Sequence, residues 1–269
     1  MKISFIGGGN MARALIGGLL AKGWKAQDIH VVDPHADKRS QLQQDFGITT
    51  SDQLPGAAMA DIVVLAVKPQ QLRDVAIFLG SLLQRQLVIS IAAGVRCADL
   101  IRWLGNYPAV VRVMPNTPAQ IQAGVSALYA AEGVSPAQQQ QAESVMSAVG
   151  TTLWLASEQQ MDAVTAVSGS GPAYVFYFLE ALQQAGEKLG LAAGQARELA
   201  MQTVLGAAKL AADSPHDFAT LRTQVTSKGG TTERALQHMA SAGLDTIIAD
   251  AVQAASDRSR ELGDLLGKD

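Results

Sequence analysis

The chain has 269 residues, 48% of them hydrophobic and 17% charged, with a formal net charge of −3 at pH 7. That balance excludes disorder, and the slight acidity, with no basic run at either end, argues against nucleic acid or an anionic membrane as a partner. One cysteine, Cys97, and four scattered histidines exclude a disulfide framework and leave no HExxH or CxxC spacing for a metal.

Ile3–Ile6 follows Met1 and Lys2 but is too short for a signal-peptide core, and glycines interrupt it at once. The longest apolar stretch, Pro172 to Leu182, carries Glu180 and is too short to span a bilayer. A soluble, cytoplasmic protein without metal is expected.

From Lys2 to about Leu155 short β-type runs alternate with helical stretches. The strands expected are Ile3–Ile6, Ile29–Val32, Ile62–Val67, Leu87–Ile91, Val110–Val113, Val125–Tyr129 and Thr152–Leu155. Helix-period segments lie between several of them, at Met11–Lys22, Asp37–Phe46, Gln70–Leu83 and Pro136–Val149. This rhythm implies βαβ units and a mainly parallel sheet. Unbroken apolar runs such as Ile62 to Val67 suit strands covered on both faces.

After about Glu158 the β-type runs stop. Helices are expected at Gln159–Val167, Pro172–Leu189, Ala193–Ala212, Phe218–Val225, Thr231–Ala240 and Leu244–Leu266, punctuated by Gly190, Gly194, Gly243 and Pro215. The fold class is therefore α/β, with a Rossmann-type doubly wound domain over 1–157 and an all-helical domain over 158–269. Pro172–Leu182 is apolar almost all round, so burial is expected, in a single-chain bundle or a shared dimer core.

The first strand runs into Gly7-Gly8-Gly9-Asn10-Met11-Ala12, which fits G-x-G-x-x-A. Gly7 allows the tight turn, Gly9 lets backbone approach a pyrophosphate, and the small Ala12 lets the helix pack closely. The next strand ends at Asp33, at about the spacing where a carboxylate meets a ribose 2′-hydroxyl and repels a 2′-phosphate. Lys38 and Arg39 follow within one turn and suit that phosphate instead, so the residues leave NADH against NADPH open.

Val67-Lys68-Pro69, Ala92-Ala93-Gly94 and Met114-Pro115-Asn116-Thr117-Pro118 each end an expected strand. Ligands of doubly wound sheets bind outside the carboxyl ends of strands, so all three are expected along one crevice. Between two later helices, Thr226 to Glu233 places glycines and hydroxyls at a helix start, a nest suited to a carboxylate, or else merely a threonine N-cap. Ser168-Gly169-Ser170-Gly171-Pro172 reads as a helix entry with close packing.

Together these motifs resemble the pyrroline-5-carboxylate reductase family, and the resemblance covers essentially the whole chain. It rests on Phe5-Ile6-Gly7-x-Gly9-Asn10-Met11-Ala12, Ala66-Val67-Lys68-Pro69, Ala92-Ala93-Gly94-Val95, Arg112-x-Met114-Pro115-Asn116-Thr117-Pro118, Ser168 to Tyr174, and Thr226 to Thr232. Lys228 stands where the family commonly has proline.

The resemblance implies reduction of 1-pyrroline-5-carboxylate to L-proline, the last step of proline biosynthesis. It implies NADPH as preferred cofactor, or NADH, and a homodimer that assembles into a larger ring such as a decamer. Cofactor contacts would come from Ile6, Gly7, Gly8, Gly9, Asn10, Met11, Ala12, Asp33, Arg39, Ala66, Val67, Lys68, Pro69, Ala92, Ala93, Gly94 and Asn116. Ser227, Gly229, Gly230 and Thr231 would hold the substrate carboxylate, with the Thr232 hydroxyl at the ring nitrogen as catalytic group and Glu158 lining the pocket. A protonated imine is already electrophilic, which accounts for a site without histidine or cysteine. The rival readings are a 3-hydroxyacid or ketopantoate-type dehydrogenase and a nicotinamide-binding regulator without turnover.

Overall fold

The computed structural model describes residues 1–268. By packing it divides into two units, one formed by 1–170 with the segment from 254 onward, the other by 171–253.

The first unit is built on eight strands: β1 (Ile3–Ile6), β2 (Ile29–Val32), β3 (Thr49–Ser51), β4 (Ile62–Leu65), β5 (Leu87–Ser90), β6 (Val110–Met114), β7 (Gly124–Ala130) and β8 (Gly150–Trp154). They lie in the order β3-β2-β1-β4-β5-β6-β7-β8. All neighbours are parallel except β6 and β7. Between them run α1 (Asn10–Ala21), α2 (Ala36–Phe46), α3 (Pro69–Gly80), α4 (Cys97–Trp103) and α5 (Pro136–Met146), and α6 (Gln160–Val164) follows β8.

Side chains of a strand alternate between faces. On β4, Ile62 and Val64 join one core cluster with Leu15, Leu19 and Val145, while Val63 and Leu65 join another with Leu72, Leu79 and Leu100. Both faces are covered, which is why the strands read as continuous apolar runs. The sequence reading lacks β3 and α4. Thr49-Thr50-Ser51 is a polar edge strand paired only to β2 and carries no apolar run. α4 spans only seven residues, too few to establish a period.

The packing boundary lies at Ser170, past the expected 157/158. Glu158 is bonded to the start of α4 and to β6, and a Cβ on Gly169 would stand 2.4 Å from Met114 Cε, so this stretch belongs with the sheet.

The second unit contains α7 (Gly171–Lys188), α8 (Ala193–Asp213), α9 (Phe218–Gln224), α10 (Thr231–Ser241) and the first part of α11 (Leu244–Leu266), whose later turns belong to the first unit. All five match the expected helices to within about two residues at each end.

Candidate active site

The turn after β1 is shaped by two glycines with different tasks. Gly7 has φ +99°, and a Cβ there would meet the Ala66 carbonyl oxygen at 2.7 Å, so nothing larger fits. Its N–H donates to the Val32 oxygen at 2.8 Å, tying the turn to β2. Gly9 is the N-cap of α1 in extended backbone, and a Cβ there would project into open space. That opening at a helix N-terminus is where a pyrophosphate fits. Ala12 is fully buried and lets α1 lie close to the sheet.

A cleft of about 510 Å³ opens here, lined by Ile6, Gly7, Gly8, Gly9, Asp33, Ala66, Val67 and Lys68 among the expected residues, and also by His35, Lys38 and Gln70. Pro69, Ala93 and Gly94 line an adjoining hollow of about 300 Å³ with Thr165, Ser170, Arg258, Ser259 and Leu262. Gln70 borders both, and the two lie along the carboxyl ends of β1, β4 and β5. This is the crevice where strand order reverses around β1.

Several expected contacts are already spent within the protein. Gly8 gives its N–H to Asp33 Oδ2 at 2.9 Å. Arg39 lies outside the lining of the cleft and donates from Nη1 to the Asp33 carbonyl oxygen at 2.7 Å. Asn116 accepts the Val125 N–H at 2.9 Å through Oδ1, fastening the start of β7. Ala92 is buried in the core, and Asn10 lines a separate hollow with Arg13 and Phe46. Burial pushes the Asp33 carboxyl up. The N–H donors of His35 and Gly8, with Lys38, more than reverse this and hold it below the ordinary aspartate range.

Glu158 follows β8 in the first unit and lies against the start of α4 and β6. Its Oε1 accepts the Cys97 N–H at 2.7 Å and Arg112 Nη1 at 2.8 Å. The Cys97 thiol, buried and beside this carboxylate, is pushed up to about 12. It stays protonated at neutral pH, so it is no nucleophile.

The hollow beside Gly94 includes groups that sequence reasoning missed. The chain from Thr165 to Gly169 forms a π-turn, with Ser170 N–H donating to the Thr165 oxygen at 2.8 Å, and this places Thr165 and Ser170 along the wall. The glycine–serine run signalled the site. The contribution from α11, more than 150 residues from Gly94, left no local signal (259 − 94 = 165). There Ser259 donates from Oγ to Asp162 Oδ1 at 2.7 Å.

In the second unit, Gly230 caps α10 without a side-chain bond, so neither Thr231 nor Thr232 is an N-cap. Both threonines are exposed in the first turn. Gly229, at φ +72°, gives its N–H to Glu233 Oε2 at 2.7 Å, and Gly230 gives its own to the Ser227 oxygen at 3.0 Å. The glycines therefore build the turn, while the N–H groups at the start of α10 face outward.

Among the described residues no three His, Cys, Asp or Glu side chains are grouped to hold a metal, and no helix is long and apolar enough to cross a membrane.

Residues 2–94 match a family model described as NADP oxidoreductase, coenzyme F420-dependent, and residues 158–262 match one described as pyrroline-5-carboxylate reductase dimerisation. The chain is 49% identical to a pyrroline-5-carboxylate reductase of Pseudomonas aeruginosa, over 99% of this chain and 98% of that one. It is 45% identical to one from Vibrio alginolyticus, over 97% of each. Among solved structures, a pyrroline-5-carboxylate reductase from Coxiella burnetii superposes with a TM-score of 0.93 at 44% identity, covering 97% of this chain and 98% of that one. The Plasmodium falciparum enzyme with NADP bound gives 0.87 at 28% identity, covering 98% of each. The chain belongs to the pyrroline-5-carboxylate reductase family.

Proposed function

We propose that this chain reduces L-1-pyrroline-5-carboxylate to L-proline with NAD(P)H as cofactor. The observation that carries the reading is the glycine cradle at Gly7–Gly9, opening at the N-terminus of α1 and continuing into the hydroxyl-lined hollow beside Gly94. Bound NAD(P)H supplies the hydride that the imine carbon accepts. Gly9 and the first N–H groups of α1 hold the pyrophosphate, Lys68 and Val67 flank it, and Thr165 and Ser170 orient the ring end.

In the helical region the substrate carboxylate is held by Ser227 and the N–H groups at Thr231, on the turn shaped by Gly230. Gly229 joins them when Glu233 releases its N–H. The Thr232 hydroxyl meets the ring nitrogen, whose charge is lost as the iminium becomes an amine. Glu158, fixed through one oxygen by Arg112 and Cys97, is the further substrate-binding residue that family resemblance implies. NADPH is the preferred cofactor, as family resemblance implies. The working assembly is a homodimer through 158–269, built into a ring such as a decamer, and the enzyme is cytoplasmic.

The test is oxidation of NADPH on addition of 1-pyrroline-5-carboxylate, with the corresponding oxoacid substrates in parallel. A hydroxyacid dehydrogenase turns over only the latter, and a non-catalytic regulator neither. Gly9→Val places a branched side chain where the phosphate lies. It should abolish cofactor binding in a fluorescence titration while helical content persists, and unchanged affinity in the folded variant would remove the cofactor assignment.

A further inference from the structure

The Asp33 side chain is only 5% exposed and is already surrounded by protein donors. Oδ1 accepts the His35 backbone N–H at 2.9 Å and the His35 Nδ1–H at 2.8 Å, and Oδ2 accepts the Gly8 N–H at 2.9 Å. Lys38 Nζ stands 4.0 Å from Oδ2. A carboxylate has about four lone-pair sites, so three N–H groups leave one, on Oδ2, and the Lys38 ammonium is the charged group that stands beside it. Gly8 is equally confined, since a Cβ there would lie 2.7 Å from Leu42 Cδ1 and 3.4 Å from Asp33 Oδ2.

Gly8 lies between the glycine that makes the turn and the glycine that opens α1. A bond to its N–H from beneath sets the height of the whole turn against the cleft. We infer that Asp33 is a positioning residue for the Gly7–Gly9 turn, and that discrimination between NADH and NADPH falls to Lys38 and the outer edge of the His35 ring. The inference rests on the cofactor reading above.

The side chains of His35 and Lys38 are 65% and 51% exposed, and both line the cleft. Asp52 and Asp74 line it as well, so the mouth is of mixed charge rather than uniformly basic. Arg39 is withdrawn from that role by its bond to the Asp33 carbonyl oxygen. An acid that reads ribose discriminates between the cofactors, whereas one that supports the turn serves the pyrophosphate common to both.

The experiment is steady-state kinetics and fluorescence titration of Asp33→Ala, Asp33→Asn and Lys38→Ala with each cofactor. Asp33→Ala should raise KM for NADH and NADPH alike, by about tenfold, as expected for losing a charge-assisted hydrogen bond. Their ratio of kcat/KM should stay within about twofold, since no contact unique to one cofactor is lost. Asp33→Asn should recover part of the loss, because an amide oxygen still accepts from Gly8. Lys38→Ala should raise KM for NADPH by about tenfold and leave NADH nearly unchanged.

A ratio moved toward NADPH by about tenfold in Asp33→Ala, with NADPH affinity intact, would make Asp33 a ribose reader and overturn the inference. So would unchanged KM values for both cofactors, or an unmoved ratio in Lys38→Ala. Should Asp33→Ala fail to fold, the nearly isosteric Asp33→Asn carries the same comparison, with both KM values raised together in support and a shifted ratio against. Failure of the cofactor reading itself would show separately, in Gly9→Val.

Discussion

The two units differ in how far each is finished within one chain. In the first, the sheet is sealed on both faces, and the polar groups that the sequence pattern singles out have partners in the protein: Asp33 with Gly8 and His35, Glu158 with Arg112 and Cys97, Asn116 with Val125. In the second, α7 has no buried residue, and Phe176 and Tyr177 are 65% and 75% exposed. Ala196 and Ala200 are the buried residues of the second unit among those described. Its threonines at 231 and 232 are likewise uncovered. One unit is complete as drawn, while the other presents an apolar surface and a set of polar groups that await something else. The all-round apolarity of Pro172–Leu182 therefore signals burial that a single chain does not provide.

Sedimentation at micromolar concentration gives the sharpest break of this contrast, and no folded monomer is expected. Charging the exposed face with Phe176→Glu and Tyr177→Glu should abolish assembly and the cooperative unfolding of the helical unit together, while the first unit still unfolds cooperatively. A stable, folded monomer would show that the second unit is self-sufficient after all.

The uncovered threonines give the next largest effect. Thr232→Ala should lower kcat/KM by roughly 10–10³-fold, about 1.4–4 kcal/mol of transition-state stabilisation, with kcat itself affected. Thr232→Ser should regain much of it. Because Gly230 rather than a threonine caps α10, the melting temperature should barely move. A variant that is less stable yet fully active would return Thr232 to a purely structural role.

Cys97 gives the smallest effect and tests how well the first unit is sealed. Its thiol is pushed up to about 12, above its unfolded value, so the proton it keeps in the folded state stabilises the protein below the unfolded pKa. That contribution fades as pH rises from about 9 toward the folded value. A thiol-alkylating reagent should label native protein at neutral pH only at the slow rate of local opening. Rapid labelling of folded protein would mean the region around Glu158 is looser than its hydrogen bonds indicate.

Much of the fold could be read from residue order, because strands buried on both faces and helices of more than two turns leave strong periodicities. The edge strand at Thr49–Ser51 and the short α4 left none. The site divided differently. Gly7, Gly9 and the β4 and β5 loops carry their roles in residue type and spacing, since each answers a backbone requirement. Asp33, Arg39 and Asn116 have the right type and place, yet their side chains turn to protein partners, a choice made by packing that no local pattern encodes. The wall from α11 was invisible because it comes from the far end of the chain.

That wall also bears on the order in which the protein is made. Arg96 pairs with Asp264 at 2.6 Å, Arg102 donates to the Gly267 oxygen at 2.8 Å, and Gly263 lies against the Gly94 carbonyl. A ribosome delivers β1 to β8 long before residues 259–267, and the intervening helices emerge in between. The nucleotide-binding unit emerges before those helices yet is closed only after them, and the nascent chain carries it with one side of its crevice missing until residues 259–267 follow.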